Sequence, residues 1–325
     1  MKNAICTIIT NDYGHYALAQ HDTFLKYGNN ESFFVFVSKG KLPEPIYDYF
    51  KLRSNVFIIY EEEFRALAIA KLLKDKYEEN YHDAYRWSMK PVLISYLLQK
   101  GYDRVLYVDS DLFFYNSFEF LFDELSNNGV LLSPHWRSSS PTKDLTNFRL
   151  NFLDGIYNGG FVGASKRGIE ALLYWAELCL HTCEVNRKDG YYVDQRYLDI
   201  LPTRFEGINH ITHKGCNVAN WNLIDCKRTL QDNGEVLING EYPIVFIHFT
   251  NSMLDGILLG KDTLLKPYLD YYKNTLLKYS DIDIVEAFYS IGIHIKPRAE
   301  KTHTQKQDST LLKVKKKFLK YLKNK

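Results

Sequence analysis

The 325-residue sequence has no apolar run of about 18 residues, so it predicts no membrane-spanning helix. Its first residues, MKNAICTIITNDYG, carry only a short apolar run without a cleavage site, which predicts no signal peptide. The sequence also lacks the Gly-Lys-Ser/Thr strings of Walker-type phosphate loops, and it shows no internal repeat. These absences exclude a transmembrane protein, a P-loop nucleotide site and a repeat architecture.

Cysteine is scarce, with five residues in an odd count and without the spacing of a disulfide framework. Reduced thiols in a cytosolic protein are the simplest interpretation. Cys179 and Cys183 lie four residues apart on a predicted helix and could share a metal ion. Because the sequence offers them no clear partner ligands, packing in the core is the favoured interpretation.

Charge is unevenly distributed, since residues 296–325 carry a net charge of +9 and the remainder a net charge of −7. The acidic body offers no basic stripe, so nucleic acid is not expected as a partner. The segment STLLKVKKKFLKYLKNK (309–325) places its apolar side chains on one half of a helical wheel and most of its lysines on the other, with Lys315 and Lys325 at the apolar side. This pattern predicts an amphipathic helix at an anionic membrane surface; docking on its own domain or on a second copy is the alternative.

Apolar segments of strand length alternate with helical patterns through the first 110 residues. Such alternation predicts a mostly parallel, doubly wound sheet, in which ligands bind outside the carboxyl ends of the strands. Pro91 is expected near the first turn of its helix, where proline is tolerated. The predicted strands are 4–10, 32–38, 55–60 and 105–108, and the predicted helices are 15–27, 62–79 and 88–100.

The second half of the chain has longer polar connections. The polar segment 135–144 is either a lid or a solvated connector. The other predicted elements are strands at 130–134 and 243–250, helices at 168–183 and 262–279, and a short helix that carries Asp194 and Gln195.

Two aspartates, Asp109 and Asp111, follow the predicted strand in RVLYVDSDLFFY. Paired carboxylates at a strand end suit Mg²⁺ or Mn²⁺ that also binds phosphate oxygens, although capping or turn aspartates fit the same spacing. Haloacid dehalogenase phosphatases place two aspartates similarly and carry a threonine two positions beyond the second. Phe113 occupies that position here, which disfavours the phosphatase alternative.

Four blocks resemble the GT-A-fold glycosyltransferases of bacterial polysaccharide assembly, with the layout of the glycogenin and galactosyltransferase-like families. They cover roughly residues 86–250 and read WSMKPVLISYLLQKGYDRVLYVDSDLFFY, YNGGFVGAS, GYYVDQRYLDILP and HKGCNVANWNL. The resemblance implies a Rossmann-like, mostly parallel α/β sheet flanked by helices, a divalent ion (Mn²⁺ or Mg²⁺) and a nucleotide-sugar donor. It also implies a division into a transferase domain (1–255), a helical extension (256–295) and a basic linker with the tail helix (296–325).

The resemblance also assigns roles to individual residues. Asp109, Asp111 and His248 match metal ligands, and Asp109 also matches a contact to the donor ribose. Asp194 and Gln195 match the pair beside the reacting carbon, which favours retention of configuration over inversion. The residues that match donor contacts are Arg86, Lys90, Asn158, Gly159, Gly160, Asn217 and Trp221. On residue type alone, each of these could instead be a surface charge, a turn or a core residue.

One block of glycogenin-like enzymes, His-x-x-Gly-x-x-Lys-Pro-Trp, is missing after His248, so a lysine contact to the leaving phosphate is unassigned. The resemblance therefore implies a cytoplasmic, metal-dependent glycosyltransferase at the inner face of the membrane, acting on a glycan or lipid-linked glycan acceptor. A carbohydrate- or nucleotide-binding protein without catalysis on the same fold is the alternative. The two differ in whether a donor is turned over.

Overall fold

A computed structural model describes residues 1–290 of the chain. Met1–Asp283 form one compact unit, and Ile284 begins a second, of which the helix Ile284–Ser290 is described. The predicted linker and tail helix at 296–325 lie outside the described residues. The functional division at residue 255 stays a prediction.

The main unit alternates strands and helices from its first residues. Its strands are β1 (Asn3–Ile9), β2 (Ser32–Val37), β3 (Val56–Ile59), β4 (Arg104–Val108), β5 (Leu112–Phe114), β6 (Val130–Pro134), β7 (Tyr157–Ser165), β8 (Val185–Asn186), β9 (Tyr191–Tyr192), β10 (Ile208–His210), β11 (Arg228–Leu230), β12 (Val236–Ile238), β13 (Tyr242–Pro243) and β14 (Phe246–His248).

The helices connect these strands. They are α1 (Gly14–Tyr27), α2 (Glu44–Lys51), α3 (Ala68–Tyr77), α4 (His82–Gln99), α5 (Glu119–Glu124), α6 (Leu145–Leu153), α7 (Ile169–His181), α8 (Leu201–Arg204), α9 (Asn251–Leu258) and α10 (Lys266–Leu276), with α11 (Ile284–Ser290) in the second unit. A 3₁₀ helix at Gln195–Ile200 replaces the short helix predicted for Asp194 and Gln195.

The central sheet has seven strands in the order β10-β6-β7-β4-β1-β2-β3. Every neighbouring pair is parallel except the two that involve β7, which runs antiparallel to both β4 and β6. The mostly parallel α/β sheet is therefore confirmed. The carboxyl ends of β1, β2, β3 and β4 meet at one edge, where parallel sheets bind ligands.

The apolar strands are buried on both faces because helices cover the sheet on each side. In β1, Ala4 and Cys6 face the core formed with α3, α4 and α7, whereas Ile5 and Ile9 face the core formed with α1 and α5. This alternation follows from the period of two along a strand. Because both faces of β1 are buried, the sequence NAICTII is largely apolar instead of alternating between apolar and polar residues.

The prediction for the helix around Pro91 is wrong at its start. Helix α4 begins at His82 and not at residue 88, so Pro91 lies in the interior of the helix. Proline has no N–H to donate to the carbonyl one turn earlier, yet Pro91 is among the buried residues of α4. Tertiary packing therefore outweighs the local signal on which the predicted start depended.

All five cysteines are buried free thiols. Cys179, on α7, and Cys183, just after it, lie in the core. Within residues 1–290, the side chains that cluster as possible metal ligands are Asp109, Asp111 and His248, not these cysteines. None of the helices in that range combines the length and the apolar character that crossing a bilayer requires.

A buried histidine on α1 predicts a pH dependence of folding. His21 Nδ1 accepts a hydrogen bond from Arg53 Nε (3.1 Å), and its Nε2 lies 3.0 Å from Asn55 Oδ1. Burial, reinforced by the Arg53 guanidinium, lowers the pKa of His21 to about 4. Between its unfolded-state pKa and about pH 4, His21 is protonated in the unfolded chain but neutral in the folded chain. The free energy of unfolding therefore decreases as the pH falls through this range.

The loss attributable to His21 is up to about 3 kcal/mol, since each pKa unit is worth about 1.4 kcal/mol. Urea unfolding of wild type and His21→Gln at neutral pH and near pH 4.5 measures it. We expect the variant to lose less stability on acidification than wild type. Equal losses would show that His21 does not titrate with folding.

Candidate active site

The turn between β4 and β5 holds the two aspartates at the carboxyl edge of the sheet. Asp109 N–H donates to Gly160 O on β7 (2.8 Å), which extends the β4–β7 pairing by one residue. The buried Gln20 on α1 donates to the carbonyls of both Asp109 (2.9 Å) and Leu112 (2.8 Å). The turn is thus fixed from both sides, which orients the carboxylates before any ligand arrives.

Strand pairing brings His248 to the same turn. Antiparallel β14 places His248 opposite Leu112 on β5, and Phe249 N–H donates to Asp111 O (2.9 Å). His248 Nε2 lies 3.0 Å from Asp111 Oδ1. Each of Asp109, Asp111 and His248 has a side-chain ligand atom, a carboxylate oxygen or an imidazole nitrogen, and these three atoms lie within 4.8 Å of one another.

The chemistry of this triad fits a divalent ion. Burial favours the neutral imidazole, but the Asp111 carboxylate raises the pKa of His248. In turn, burial opposes ionisation of Asp111, and His248 lowers the pKa of that carboxyl. The two aspartate side chains remain about one-third exposed, at 30% and 33%. Two partly exposed carboxylates and a buried imidazole are a suitable donor set for Mn²⁺ or Mg²⁺.

Lys90 on α4 supplies a buried positive charge beside the triad. It is 3% exposed, and its Nζ lies 3.3 Å from both Asp109 Oδ1 and Asp194 Oδ2. The same ammonium donates to Gly159 O (2.9 Å). Burial favours the neutral amine, but the two carboxylates raise the pKa of Lys90. A desolvated ammonium between two carboxylates offsets their repulsion, which is costly when it is left uncompensated.

Asp194 lies on the far side of Lys90 and is 1% exposed. Burial raises the pKa of Asp194, and the Lys90 ammonium opposes that rise. Trp175 Nε1 on α7 donates to the Asp194 carbonyl (2.9 Å). The preceding residue, Val193, has φ = 45°, a left-handed conformation that β-branched residues rarely adopt. Strain of this kind accumulates at functional sites, where the surrounding structure holds it.

The glycines of β7 allow this close packing. An added Cβ at Gly159 would lie 2.9 Å from Asp194 Oδ2, and one at Gly160 would lie 2.6 Å from His248 Cε1. The Gln195 side chain links β7 to the residue after α6. Its Oε1 accepts from Gly159 N–H (3.2 Å), and its Nε2 donates to Asp154 O (2.8 Å). The strand thus passes directly between the triad and the Asp194–Gln195 pair.

Two further predicted residues lie against these groups. Asn158 Oδ1 accepts from Gly160 N–H (2.5 Å), and Asn158 Nδ2 lies 3.3 Å from His248 Nδ1. Arg86, one turn before Lys90, pairs with Asp83 (3.1 Å). Burial disfavours its charge, but the nearby Asp109 raises the pKa of Arg86. That Asn158 and Arg86 contact a donor stays a prediction.

Asn217 and Trp221 come from the segment before β14. The Trp221 ring stands nearly perpendicular to the His248 ring, with centroids 5.3 Å apart. Asn217 is fully buried at φ = 59° and donates from Nδ2 to Pro134 O (3.1 Å). Trp221 therefore adjoins the triad directly, whereas Asn217 shapes the turn that carries it. A sugar contact of either residue stays a prediction.

Sequence reasoning missed two residues that position the turn. Tyr107 donates its hydroxyl to Asp109 Oδ1 (2.6 Å), and Gln20 holds the backbone as described above. The spacing of Tyr107 and Asp109 contained a signal, because residues two apart on a strand share a face. No sequence signal connects Gln20 to a turn 89 positions away.

Replacing Gln20 tests how strongly the turn depends on it. Gln20→Met keeps a similar volume but removes the side-chain donor to the Leu112 carbonyl and leaves the Asp109 carbonyl with the Leu112 N–H (3.0 Å). We expect a loss of about 1–3 kcal/mol in stability, since a buried acceptor loses its side-chain donor. We also expect weaker Mn²⁺ binding by titration calorimetry. Unchanged Mn²⁺ affinity despite the stability loss would show that Gln20 does not position the carboxylates.

A cavity of about 570 Å³ opens at the same edge of the sheet, beyond β2 and β3. Ser38, Gly40, Tyr47 and Tyr60 are among its lining residues. In the sheet order, β2 is two strands from β4, so the cavity begins roughly 10 Å from the aspartate turn.

No family model matches the chain. It is 26% identical over 264 residues to the uncharacterized protein YfnF of Bacillus subtilis (strain 168), across 79% of this chain and 84% of YfnF. It is 32% identical over 192 residues to the uncharacterized protein YfnD of the same strain. That match spans 57% of this chain and 58% of YfnD.

Solved structures share the fold at low sequence identity. The galactosyltransferase LgtC, in complex with donor and acceptor sugar analogues, superposes with a TM-score of 0.56 at 13% identity, over 86% of this chain and 97% of LgtC. Mouse xyloside xylosyltransferase 1 superposes with a TM-score of 0.50 at 12% identity, over 78% of this chain and 99% of that one. The GT-A fold expected from the sequence blocks is therefore confirmed.

Proposed function

We propose that this GT-A-fold chain is a metal-dependent glycosyltransferase that uses a nucleotide-sugar donor. The observation that carries the proposal is the convergence of Asp109, Asp111 and His248 beside the buried Lys90–Asp194 pair, at the carboxyl edge of the sheet. LgtC and xyloside xylosyltransferase 1, which share the fold, are named as sugar transferases, and this supports the assignment. The bound ion is proposed to be Mn²⁺ or Mg²⁺.

The donor is proposed to lie along the sheet edge. Its diphosphate would meet the triad, and Asp109 would contact the ribose. The nucleoside would extend towards the cavity beyond β2, which lies within reach of a bound diphosphate. The sugar would then lie beside β7, next to the Asp194 and His248 side chains that pack on Gly159 and Gly160.

In the proposed reaction, the bond between the anomeric carbon and the β-phosphate oxygen breaks, and an acceptor hydroxyl forms the new glycosidic bond. The electron pair of the broken bond stays on the phosphate, and the acceptor proton leaves to solvent or a base. A bound divalent ion would neutralise the charge that develops on that phosphate. Lys90 holds its positive charge within 3.3 Å of Asp109 and adds preorganised electrostatic stabilisation.

Asp194 and Gln195 are proposed to act at the reacting carbon. Asp194 Oδ2 packs against Gly159, and Gln195 accepts the Gly159 N–H, so both adjoin the strand proposed to lie beside the sugar. A carboxylate beside the sugar can stabilise the positive charge of an oxocarbenium-like transition state. On this placement we propose a retaining course, which NMR of the product anomer would establish.

The acceptor is proposed to be a glycan or lipid-linked glycan in cell-surface polysaccharide or lipopolysaccharide synthesis. The support is the sequence of residues 309–325, in which the apolar side chains and most of the lysines segregate on a helical wheel. Attachment through this segment would place the enzyme at the inner face of the cytoplasmic membrane, where a lipid-linked acceptor is accessible.

Removal of residues 309–325 should weaken binding to phosphatidylglycerol vesicles in co-sedimentation. Each lysine near an anionic surface contributes about 1 kcal/mol, so binding of the full chain should also fade as salt rises. Phosphatidylcholine vesicles are the matched control. Equal binding by the truncated protein, or no binding by the full chain at low salt, would refute the role of this segment.

A thermal-shift screen of sugar nucleotides, each with and without Mn²⁺, tests donor binding. A true donor stabilises the folded chain by mass action, and the shift should require the ion. Wild-type protein that no sugar nucleotide stabilises in the presence of Mn²⁺ would count against the proposed function.

A further inference from the structure

Helix α6 is oriented with its polar side towards the protein. Asn147 Oδ1 accepts from Ser138 N–H (2.6 Å), and its Nδ2 donates to Trp221 O (3.0 Å). One turn later, Asn151 Nδ2 donates to Ser138 O (3.2 Å). At the carboxyl end, Arg137 donates to Leu150 O (3.0 Å). Hydrogen bonds rather than apolar packing therefore hold this helix to the body.

The opposite side of α6 is apolar and exposed. None of its nine residues is buried. The exposed fractions are 48% for Leu145, 63% for Phe152 and 38% for Leu153, and Ile156 just beyond the helix is 50% exposed. Phe148 packs edge-on against Phe152, with centroids 5.3 Å apart. Single exposed apolar residues are common, but a contiguous set on one helix face indicates an interaction surface.

A single charge, Arg149, interrupts this face. At 100° per residue it falls between Leu145 and Leu153 on the wheel. Its side chain is exposed and has no ion pair within residues 1–290. The acidic residues nearby are already engaged, since Asp144 caps the helix, Asp154 pairs with Arg137 and Asp225 pairs with Lys143.

The carboxyl end of α6 is tied to Gln195 of the proposed catalytic pair. Asp154, the residue after α6, accepts a hydrogen bond from Gln195 Nε2 (2.8 Å), and β7 begins three residues later at Tyr157. A surface that contacts α6 would therefore hold its substrate a short distance from Asp194.

We infer that the outer face of α6 inserts into the headgroup region of an anionic bilayer and there presents a lipid-linked acceptor to the active site. The inference rests on the proposed function for the identity of the acceptor. Phenylalanine and leucine side chains suit the boundary between headgroups and acyl chains, and an arginine among them binds lipid phosphate. Arg149 thus supplies the charge complementarity that selects anionic lipid.

A second copy of the chain fits this face less well. A stable protein interface typically buries about 1,200–2,000 Å² in total, whereas the exposed apolar residues of this face all lie on or next to one nine-residue helix. A dry interface would also bury the unpaired Arg149 guanidinium at considerable cost. At a bilayer surface the same side chain keeps water and phosphate as partners.

Site-specific fluorescence tests the contact without depending on overall affinity. The five native cysteines are buried, so F152C in the full chain can carry a single environment-sensitive fluorophore. We expect a blue shift with phosphatidylglycerol vesicles and a smaller one with phosphatidylcholine vesicles. The matched control is L52C, at a position that is 82% exposed at the end of α2, which connects the strands at the opposite edge of the sheet.

Two substitutions extend the test. Phe152→Ser should weaken partition onto phosphatidylglycerol vesicles about tenfold, whereas Leu52→Ser should not change it. In labelled F152C, Arg149→Glu should reduce the difference between the blue shifts with phosphatidylglycerol and with phosphatidylcholine vesicles. Co-sedimentation of labelled F152C without a blue shift would overturn the inference, as would equal shifts for F152C and L52C.

A blue shift that follows protein concentration without vesicles, and a dimer that Phe152→Ser dissociates, would assign the face to a second copy instead. Donor hydrolysis separates this inference from the proposed function. Phe152→Ser should hydrolyse a sugar nucleotide as fast as wild type, because Phe152 is 63% exposed and packs on Phe148 rather than on a residue proposed to contact the donor. If Phe152 contacts vesicles but the protein hydrolyses no sugar nucleotide, the inference that α6 binds membranes stands and the proposed transferase function is refuted.

Discussion

Replacement of Asp111 by asparagine is expected to abolish sugar transfer and to weaken Mn²⁺-dependent donor binding. The amide removes the anionic oxygen that a hard dication requires, and it also removes the charge that faces His248 at 3.0 Å. We expect turnover to fall by at least about 10³, as in other sites that lose electrostatic stabilisation. Initial rates at saturating donor and Mn²⁺ measure the loss.

Asp48→Asn is the matched control, because Asp48 forms an exposed ion pair with Lys51 on α2. His248→Ala should weaken Mn²⁺ binding less than Asp111→Asn, since the donor diphosphate can supply further ligands. Wild-type turnover in Asp111→Asn would disprove the metal role. Unchanged Mn²⁺ affinity in His248→Ala would make His248 a buried structural residue.

Replacement of Asp194 by alanine should lower kcat by orders of magnitude, about 10² to 10⁴, and leave nucleotide affinity nearly intact. The carboxylate is buried against Gly159, on the strand proposed to lie beside the sugar rather than the nucleoside. Single-turnover rates and nucleoside diphosphate binding by calorimetry separate the two effects.

Asp194 also neutralises Lys90, so its removal affects stability as well as catalysis. Asp194→Asn keeps the volume and leaves Asp109 and the Gly159 carbonyl as partners of Lys90. If the asparagine variant folds normally and still loses kcat, Asp194 acts on the reaction. A loss of nucleotide binding in proportion to kcat would make Asp194 a structural or donor-anchoring residue.

Local patterns in the sequence were sufficient for the position of the aspartates and for five of the seven strands of the central sheet, but not for β7 and β10. The strand before Asp109 is a short apolar run that ends in polar residues, and the edge of a parallel sheet is where such residues gather. His248 was different, because a histidine on an apolar strand is usually a core residue. Only the resemblance of the surrounding blocks assigned it to the metal.

The relations between distant residues could not be predicted. Gln20 and Lys90 are 89 and 69 positions from the groups they contact in the site, and neither has a local signature. The start of α4 was missed because Pro91 suggested a first turn, whereas α4 begins nine residues earlier and is buried along much of its length. The inverted orientation of α6 depends on hydrogen bonds to Ser138 and Trp221, which only the assembled fold brings together.

The most direct test of the account is release of nucleoside diphosphate from a panel of sugar nucleotides by the full chain, measured with Mn²⁺ and with a chelator. The account predicts release from at least one donor that requires the ion and that disappears in Asp111→Asn. The binding-protein alternative predicts donor binding without release. Turnover that persists in the chelator or in Asp111→Asn, or no turnover of any donor with Mn²⁺, would contradict the central claim.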